Sequence, residues 1–344
     1  MSTYRVGVIG TGRIASSIQD EMLSKPSFVI LPHSHAGAYS AIPETTIVAA
    51  ADTNAERLAE FANRWDVANT YSDYREMLQA EALDIVSICT PTPSHAEIAE
   101  AVGASGVKGV FMEKPVAQSL GQVDRVIAAF EANGIKTVIN HTRTFDPYYR
   151  RIKEVIASGA IGDLHAFMIH WHEGFLFGST HLFDLLRYLT DSDADWVFGD
   201  IVEGESLFDP GGIGTIRFKN GVDALVNVRP GHAAPLEVDI VGTTGRIRIG
   251  GSLFPELYNK DATTGELVKR GFPGAVWGVS AMTTAVLELI ASIESGVKPA
   301  SDVHDGRAAV ELSVAFHLSS QAHAPVSLPI TDTDFEIQDP WGRK

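Results

Sequence analysis

Lys114 stands in Val110-Phe111-Met112-Glu113-Lys114-Pro115, at the end of an apolar strand and about a hundred residues after a glycine fingerprint. An ammonium group at a strand's carboxyl end lies where open parallel sheets bind their ligands. It can hold a substrate hydroxyl and stabilise the alkoxide that develops as a hydride departs. The arrangement points to a nicotinamide-dependent enzyme with a lysine beside its hydride-transfer site. A surface lysine preceding a turn is the competing reading.

The elements that would position this lysine begin with Arg5-Val6-Gly7-Val8-Ile9, a short apolar strand feeding Gly10-Thr11-Gly12-Arg13-Ile14-Ala15. Helical spacing then continues through Met22. Gly10 permits a tight turn, Gly12 lets the backbone approach a pyrophosphate, and Ala15 allows close packing of helix on sheet. Arg13 and Ile14 complete the candidate cofactor-binding turn. A second buried strand, Thr46-Ile47-Val48-Ala49-Ala50-Ala51, ends in Asp52. Its carboxylate can accept both hydroxyls of an adenosine ribose and would repel the extra phosphate of NADP, so NAD is the predicted cofactor. The interval from Gly12 to Asp52 exceeds the usual spacing of about 20 residues, and Pro26 to Pro43, with Pro32-His33-Ser34-His35 inside, reads as an inserted loop. Capping of the helix that starts at Ala55 is the simpler role for Asp52.

Alternation of strand and helix continues with Asp84 to Thr90, a helix from Ser94, Lys108 to Met112, a helix from Ser119, and Lys136 to Asn140. This pattern predicts an α/β fold with a doubly wound parallel sheet. Thr90-Pro91-Thr92-Pro93-Ser94-His95 falls at a strand's carboxyl end, where two prolines stiffen the loop. Thr90, Pro91 and His95 are its candidates for cofactor support, and Glu113 joins them beside Lys114.

Taken in order, Gly10-x-Gly12-x-x-Ala15, Asp52, the Thr90 to His95 loop, Glu113-Lys114-Pro115, Arg143-Thr144-Phe145-Asp146-Pro147 and a segment around His181 resemble the Gfo/Idh/MocA family of oxidoreductases nearly end to end. The resemblance implies an N-terminal Rossmann domain binding NAD over residues 1–140. It further implies a C-terminal α+β substrate-binding and oligomerisation domain over 141–335, with a large and mostly antiparallel sheet, and a tail over 336–344. The implied activity is hydride transfer between the nicotinamide and a secondary hydroxyl of a sugar, polyol or sugar derivative. The implied assembly is a homodimer or homotetramer. In the resembling enzymes the lysine-proline bond is often cis, which aims the lysine at the substrate.

His181 lies in Gly178-Ser179-Thr180-His181-Leu182-Phe183-Asp184-Leu185-Leu186-Arg187-Tyr188, where Ser179 or Thr180 is placed to cap a helix with Leu182, Leu185, Leu186 and Leu189 on its apolar face. An imidazole titrates near neutrality, so His181 is the candidate proton acceptor, against the plainer reading of a core or capping histidine. The resembling enzymes often carry aspartate four residues earlier, where this chain has Phe177. Proton transfer then falls to Lys114 and His181, to a carboxylate from elsewhere, or to water. Asp184 either orients His181 or pairs with Arg187 one turn on.

Beyond a helix over Pro147 to Ser158, strand formers recur from Leu164 through Ile249. Two late helices, near Ser280 to Glu294 and Asp305 to Ser320, precede a strand at Pro325 to Pro329. The resemblance implies that these helices close the second domain. His170-Trp171-His172-Glu173 places two imidazoles on one strand face, but spacing indicates no third ligand, and no metal is expected. Trp171, His172 and Glu173 are instead candidates for packing on and hydrogen-bonding a sugar. Asn140, His141, Arg143 and Tyr148 follow the sixth strand; Asn140 and Arg143 also have support from the resemblance.

The 344 residues suit two domains, each able to bury a substantial core. A net charge of −16 with dispersed basic residues argues against nucleic-acid and anionic-membrane partners. The single cysteine, Cys89, lies in an apolar run and reads as a buried thiol. With a first strand beginning at Tyr4 there is no signal-peptide pattern, and a cytoplasmic location is expected. Two other functions fit the same residues: glycoside cleavage through transient oxidation by tightly held NAD, kept open by Phe177, and a noncatalytic regulator binding NAD and a sugar.

Overall fold

A computed structural model describes residues 3–24, 30–202, 209–230, 235–250 and 254–337. The chain divides into two compact units, one holding residues up to Asp146 together with Val279–Arg307, the other Pro147–Gly278 together with the described residues from Ala308 to Ile337. The Pro26 end of the predicted insertion and most of the predicted C-terminal tail lie outside the described residues.

In the first unit, β1 (Tyr4–Ile9), β2 (Thr45–Ala51), β3 (Asn69–Tyr71), β4 (Ile85–Ile88), β5 (Gly109–Met112) and β6 (Lys136–Ile139) form one sheet. Its order is β3-β2-β1-β4-β5-β6 and every pairing is parallel. Helices cover such a sheet on both faces, so β4 and β5 are buried at every position and read as continuous apolar runs rather than alternating ones. The strand order reverses between β1 and β4, and ligands of doubly wound sheets bind at the carboxyl ends beside that reversal.

The segment read as an inserted loop contains a helix, His35–Ser40, with Ser34 as its cap: the Ser34 hydroxyl accepts from Gly37 N at 3.1 Å. Tyr39, Ala36 and Ala38 are buried in the core with Val6, Ile47 and Phe111. This short helix is stabilised by what it buries, since six residues are too few for helix propensity to sustain.

The late helix Ala281–Ser295 also belongs to this unit. Ser280 caps it, accepting from Thr283 N at 3.1 Å, and Gly296 ends it with φ of 73°. Met282, Val286 and Leu289 join the core beside Val138 and Phe145, each burial contributing roughly 1.5–3 kcal/mol. Periodicity foretells such a helix and its apolar face, but not the sheet on which that face comes to rest.

The second unit contains nine strands among the described residues: β7 (Leu164–Trp171), β8 (Ala194–Ile201), β9 (Gly212–Phe218), β10 (Asp223–Val228), β11 (Glu237–Gly242), β12 (Gly245–Ile249), β13 (Glu256–Lys260), β14 (Leu267–Arg270) and β15 (Val326–Ser327). They are ordered β14-β13-β12-β11-β7-β10-β9-β8-β15. Only the β7 and β10 pairing is parallel. One face is buried and one is open, so alternation returns: along β7, Phe167, Ile169 and Trp171 are buried while Met168 and His170 are exposed. Against the buried side, Phe175, Phe183 and Phe316 form a stack, with the Phe175 and Phe316 ring centroids 4.3 Å apart.

Candidate active site

The turn after β1 has the shape that a dinucleotide needs. Gly10 adopts φ of 85°, and a Cβ there would lie 2.9 Å from the Cys89 carbonyl, so the tight turn requires glycine. Around Gly12 the corresponding Cβ position has no atom within 4 Å, leaving the backbone open to a phosphate. The Arg13 guanidinium is paired bidentately with Glu21, at 2.6 and 2.9 Å, and Ile14 packs against the core.

Asp52 is held to the same turn. One carboxylate oxygen accepts from Thr11 N at 2.8 Å and Thr11 Oγ1 at 2.9 Å; the other accepts from Asn54 N at 2.8 Å and lies 3.4 Å from Arg57 Nη2. The helix Ala55–Trp65 is capped by Asn54, which accepts from Arg57 N at 2.9 Å. The simpler role weighed for Asp52, as that helix's cap, is therefore taken by its neighbour. A carboxylate has about four acceptor positions, and Thr11 N, Thr11 Oγ1, Asn54 N and the long Arg57 contact take them, so a ribose hydroxyl would replace the Arg57 contact.

His95 ties two strand ends together. Its Nε2 lies 2.7 Å from the Thr90 carbonyl and its Nδ1 lies 2.8 Å from the Pro115 carbonyl, with the ring almost fully buried. Pro91 is exposed, and the Thr90 hydroxyl accepts from Ser94 Oγ at 2.9 Å. The Lys114–Pro115 peptide is cis, and Lys114 is partly buried at the end of β5. Cys89, behind this loop, is buried, and burial pushes its thiol pKa well up, which keeps it from reacting as a thiolate.

Glu113 is buried in a polar chain absent from the sequence reading. Its Oε1 lies 3.0 Å from His35 Nε2 and also accepts from Asn140 Nδ2. His35 Nδ1 is 3.0 Å from Ser87 Oγ, which is 2.9 Å from the Tyr39 hydroxyl. Burial alone would raise the Glu113 pKa. Hydrogen bonds from His35 and Asn140, with the charges of His35 and Lys114, outweigh it and hold the carboxyl below its ordinary range. The capping serine ahead of an Ala-rich turn was the one local sign of His35's helix; its partner lies 78 residues away.

Asn140 is 2% exposed at the end of β6, and its Oδ1 is buried without a hydrogen-bond partner. His141 Nδ1 lies 3.0 Å from Ser301 Oγ, and Arg143 sits in the short helix Thr142–Phe145. Gly10, Gly12, Asp52, Thr90, His95, Glu113, Lys114 and Asn140 thus gather at the carboxyl ends of one parallel sheet.

Trp171, His172 and His181 belong to the second unit, as does Tyr148. Trp171 is buried at the end of β7, whereas His172 is exposed with Nε2 3.8 Å from Glu173 Oε1. Among the described residues, no group of three or more His, Cys, Asp or Glu side chains is arranged to hold a metal. The helix carrying His181, Ser179–Thr190, begins after Gly178 with no side-chain cap, so neither Ser179 nor Thr180 has the expected capping role. The predicted leucine face is buried. Arg187 Nη2 bonds Asp193 at 2.7 Å. At Phe177, a carboxylate arrives from elsewhere: Asp209 accepts from Leu176 N at 2.7 Å and Phe177 N at 2.8 Å. A residue 32 positions downstream leaves no local signature of this contact.

Residues 4–141 match an oxidoreductase family described by its NAD-binding Rossmann fold, and residues 149–248 match the C-terminal domain of the same Gfo/Idh/MocA group. The chain belongs to the Gfo/Idh/MocA family. It is 26% identical to the myo-inositol 2-dehydrogenase of Thermotoga maritima over 352 residues, covering 94% of this chain and 98% of that protein. Inositol 2-dehydrogenase 3 of Saccharopolyspora erythraea is 30% identical over 270 residues, 72% of this chain and 73% of the relative. The fold is shared with a levoglucosan dehydrogenase solved with NADH and levoglucosan, at a TM-score of 0.80 and 20% identity over 96% of this chain and all of that one. Membership makes this chain an NAD-binding oxidoreductase. The open backbone at Gly12 fits that dinucleotide. No described helix is long and apolar enough to cross a membrane.

Proposed function

We propose that this oxidoreductase is a dehydrogenase for a secondary hydroxyl of a sugar or polyol, of the inositol type. The observation that carries the reading is Lys114 at the end of β5, on the same sheet edge as the Gly10-x-Gly12 turn and Asp52. Full-length similarity to an inositol dehydrogenase supports the substrate class. Bound NAD supplies the hydride acceptor. Gly10, Gly12 and Asp52 hold the dinucleotide, His95 keeps the Thr90 loop and Pro115 in register, Lys114 binds the substrate hydroxyl and stabilises its developing negative charge, and His181 takes the proton. The first unit serves the cofactor; Trp171 and His172 of the second serve the substrate. The enzyme works in the cytoplasm as a homodimer or homotetramer, a reading supported by a single buried cysteine and an exposed apolar row on the second sheet.

Purified protein incubated with NAD and a panel of inositols, aldoses, sugar acids and glycosides should accumulate NADH with at least one polyol or sugar. Lys114→Ala should lower that kcat by about a hundredfold or more. Cleavage of a glycoside without accumulating NADH would replace the dehydrogenase with the transient-oxidation reading.

A further inference from the structure

We propose that His95 is a doubly protonated imidazolium, and that this buried charge makes it the positioning residue that keeps the Thr90 loop and the Lys114–Pro115 segment in register. Both ring nitrogens face backbone carbonyls: Nε2 lies 2.7 Å from Thr90 O and Nδ1 lies 2.8 Å from Pro115 O. A carbonyl oxygen has no proton to give, and a neutral imidazole has a single N–H. Either neutral tautomer would therefore satisfy one carbonyl and press a nitrogen lone pair against the other at hydrogen-bond distance. Turning the ring over would exchange its nitrogens for carbons and leave neither carbonyl a donor. Only the imidazolium donates to both.

His95 is 1% exposed and opens the helix His95–Gly103. Burial and a helix N-terminus both disfavour a cation, so the two carbonyls hold the charge against them. The helix packs mainly on β4, on the turn Thr92–Ser94 and on the helix Leu120–Ala132. β4 and the turn carry no titratable group. Asp124, Arg125 and Glu131 of the packed helix pair with Arg307, Glu100 and His304, and Glu97 of His95's own helix pairs with Arg75. The groups beside the two carbonyls in sequence are Cys89, whose thiol burial keeps neutral, and Glu113 and Lys114. Glu113, held ionised two residues before Pro115, supplies negative charge at this strand end.

Thr90 lies beyond β4 and Pro115 beyond β5, so a ring with two donors ties together the ends of neighbouring strands that carry the candidate cofactor loop and Lys114. When the ring loses a proton, one tie becomes a lone-pair repulsion and the ends are free to part. The tie is thus present at neutral pH and lost toward alkali, as pH rises through the ring's own titration. The inference rests on the family's NAD binding and needs no particular substrate.

The charge is read directly from the ring nitrogens by NMR of protein labelled with nitrogen-15 histidine. An imidazolium shows both nitrogens at protonated shifts, whereas a neutral ring shows one of them far downfield as an unprotonated acceptor. His95 should show both protonated at neutral pH and should titrate only above about pH 8, against about 6.5 for an unperturbed histidine. NADH dissociation constants across the same range test the positioning role. Wild-type protein should bind NADH at least about fivefold more weakly once the ring has lost its proton. In His95→Gln, whose amide cannot repeat the change of charge, affinity at neutral pH should already be lower by a similar factor, and the alkaline fall should vanish. A neutral ring at neutral pH overturns the proposal on wild-type protein alone, even where the variant does not fold. So does an equal alkaline fall in wild type and His95→Gln, which would assign it to Lys114 or Cys89. Because no substrate enters either measurement, failure to oxidise polyols would count against the dehydrogenase reading alone.

Discussion

The Asp52 carboxylate, proposed to hold the dinucleotide, draws its partners from two places: Asn54 and Arg57 just after it, and Thr11, 41 residues earlier. Asp52 already accepts from Thr11 N, Thr11 Oγ1 and Asn54 N, so it is pinned at the rim of the glycine turn before any ribose arrives. Arg57, with its side chain about half exposed, stands 3.4 Å from the same group. Removing the carboxylate should take away both the acceptor for the ribose hydroxyls and the repulsion of a 2′-phosphate, leaving Arg57 free to pair with that phosphate. Asp52→Ala is therefore expected to lower kcat/KM for NAD about tenfold or more and to raise it for NADP. Steady-state kinetics with the two cofactors measure both changes, and undiminished discrimination against NADP would remove Asp52 from this role. Thr11 and Asn54 explain why the residue was legible from sequence: its place depends on a strand, a turn and a helix start, each with a short-range signature.

Helices and strands were readable wherever their pattern is local, and their partners were not. The β1 run, the fingerprint and the ends of β4, β5 and β6 follow from apolar continuity and glycine placement. His35 was passed over because its meaning lies in Glu113, 78 residues on, and Asp209 because its contact with Phe177 is backbone-mediated at a separation of 32. The helix Val303–Ala322 shows a further limit, since its spacing gives no warning that the Nε2 of the partly buried His317 is enclosed and unpartnered. Burial lowers the His317 pKa to about 4, so the folded state keeps the ring neutral where the unfolded chain, at 6.5, would protonate it. The stability associated with that neutral ring is fully present above pH 6.5 and is lost as pH falls toward 4. Urea unfolding should show wild-type protein losing about 2 kcal/mol more than His317→Phe between neutral pH and the lower end of that window. Identical pH slopes would show that His317 does not titrate this way.

At the scale of the whole molecule, the open face of the second sheet is the feature with the largest consequence. Backbone register sets Phe198 beside Thr215, Thr215 beside Leu225 and Leu225 beside Met168, with Ile213 on the same face two residues from Thr215. Phe198, Leu225, Met168 and Ile213 are each 45–50% exposed, although alternation gives such a face polar residues when it meets only water. The row is bordered by Arg217 paired with Asp223 on one side and by Asp239 with Arg248 on the other. An apolar centre within a charged rim is the anatomy of a protein interface, and a self-complementary patch pairs through a two-fold axis. A second copy of the same face is therefore the expected occupant. Charges placed in the centre of the row, as Met168→Asp together with Leu225→Asp, would have to be desolvated without partners on association, while in the separated subunit they stay in water. Sedimentation of the wild-type chain should give the mass of a dimer or tetramer, and the double variant should sediment as a smaller species with NADH affinity intact. A monomeric wild type, or a double variant that keeps the full assembled mass, would show that subunits do not join through this face.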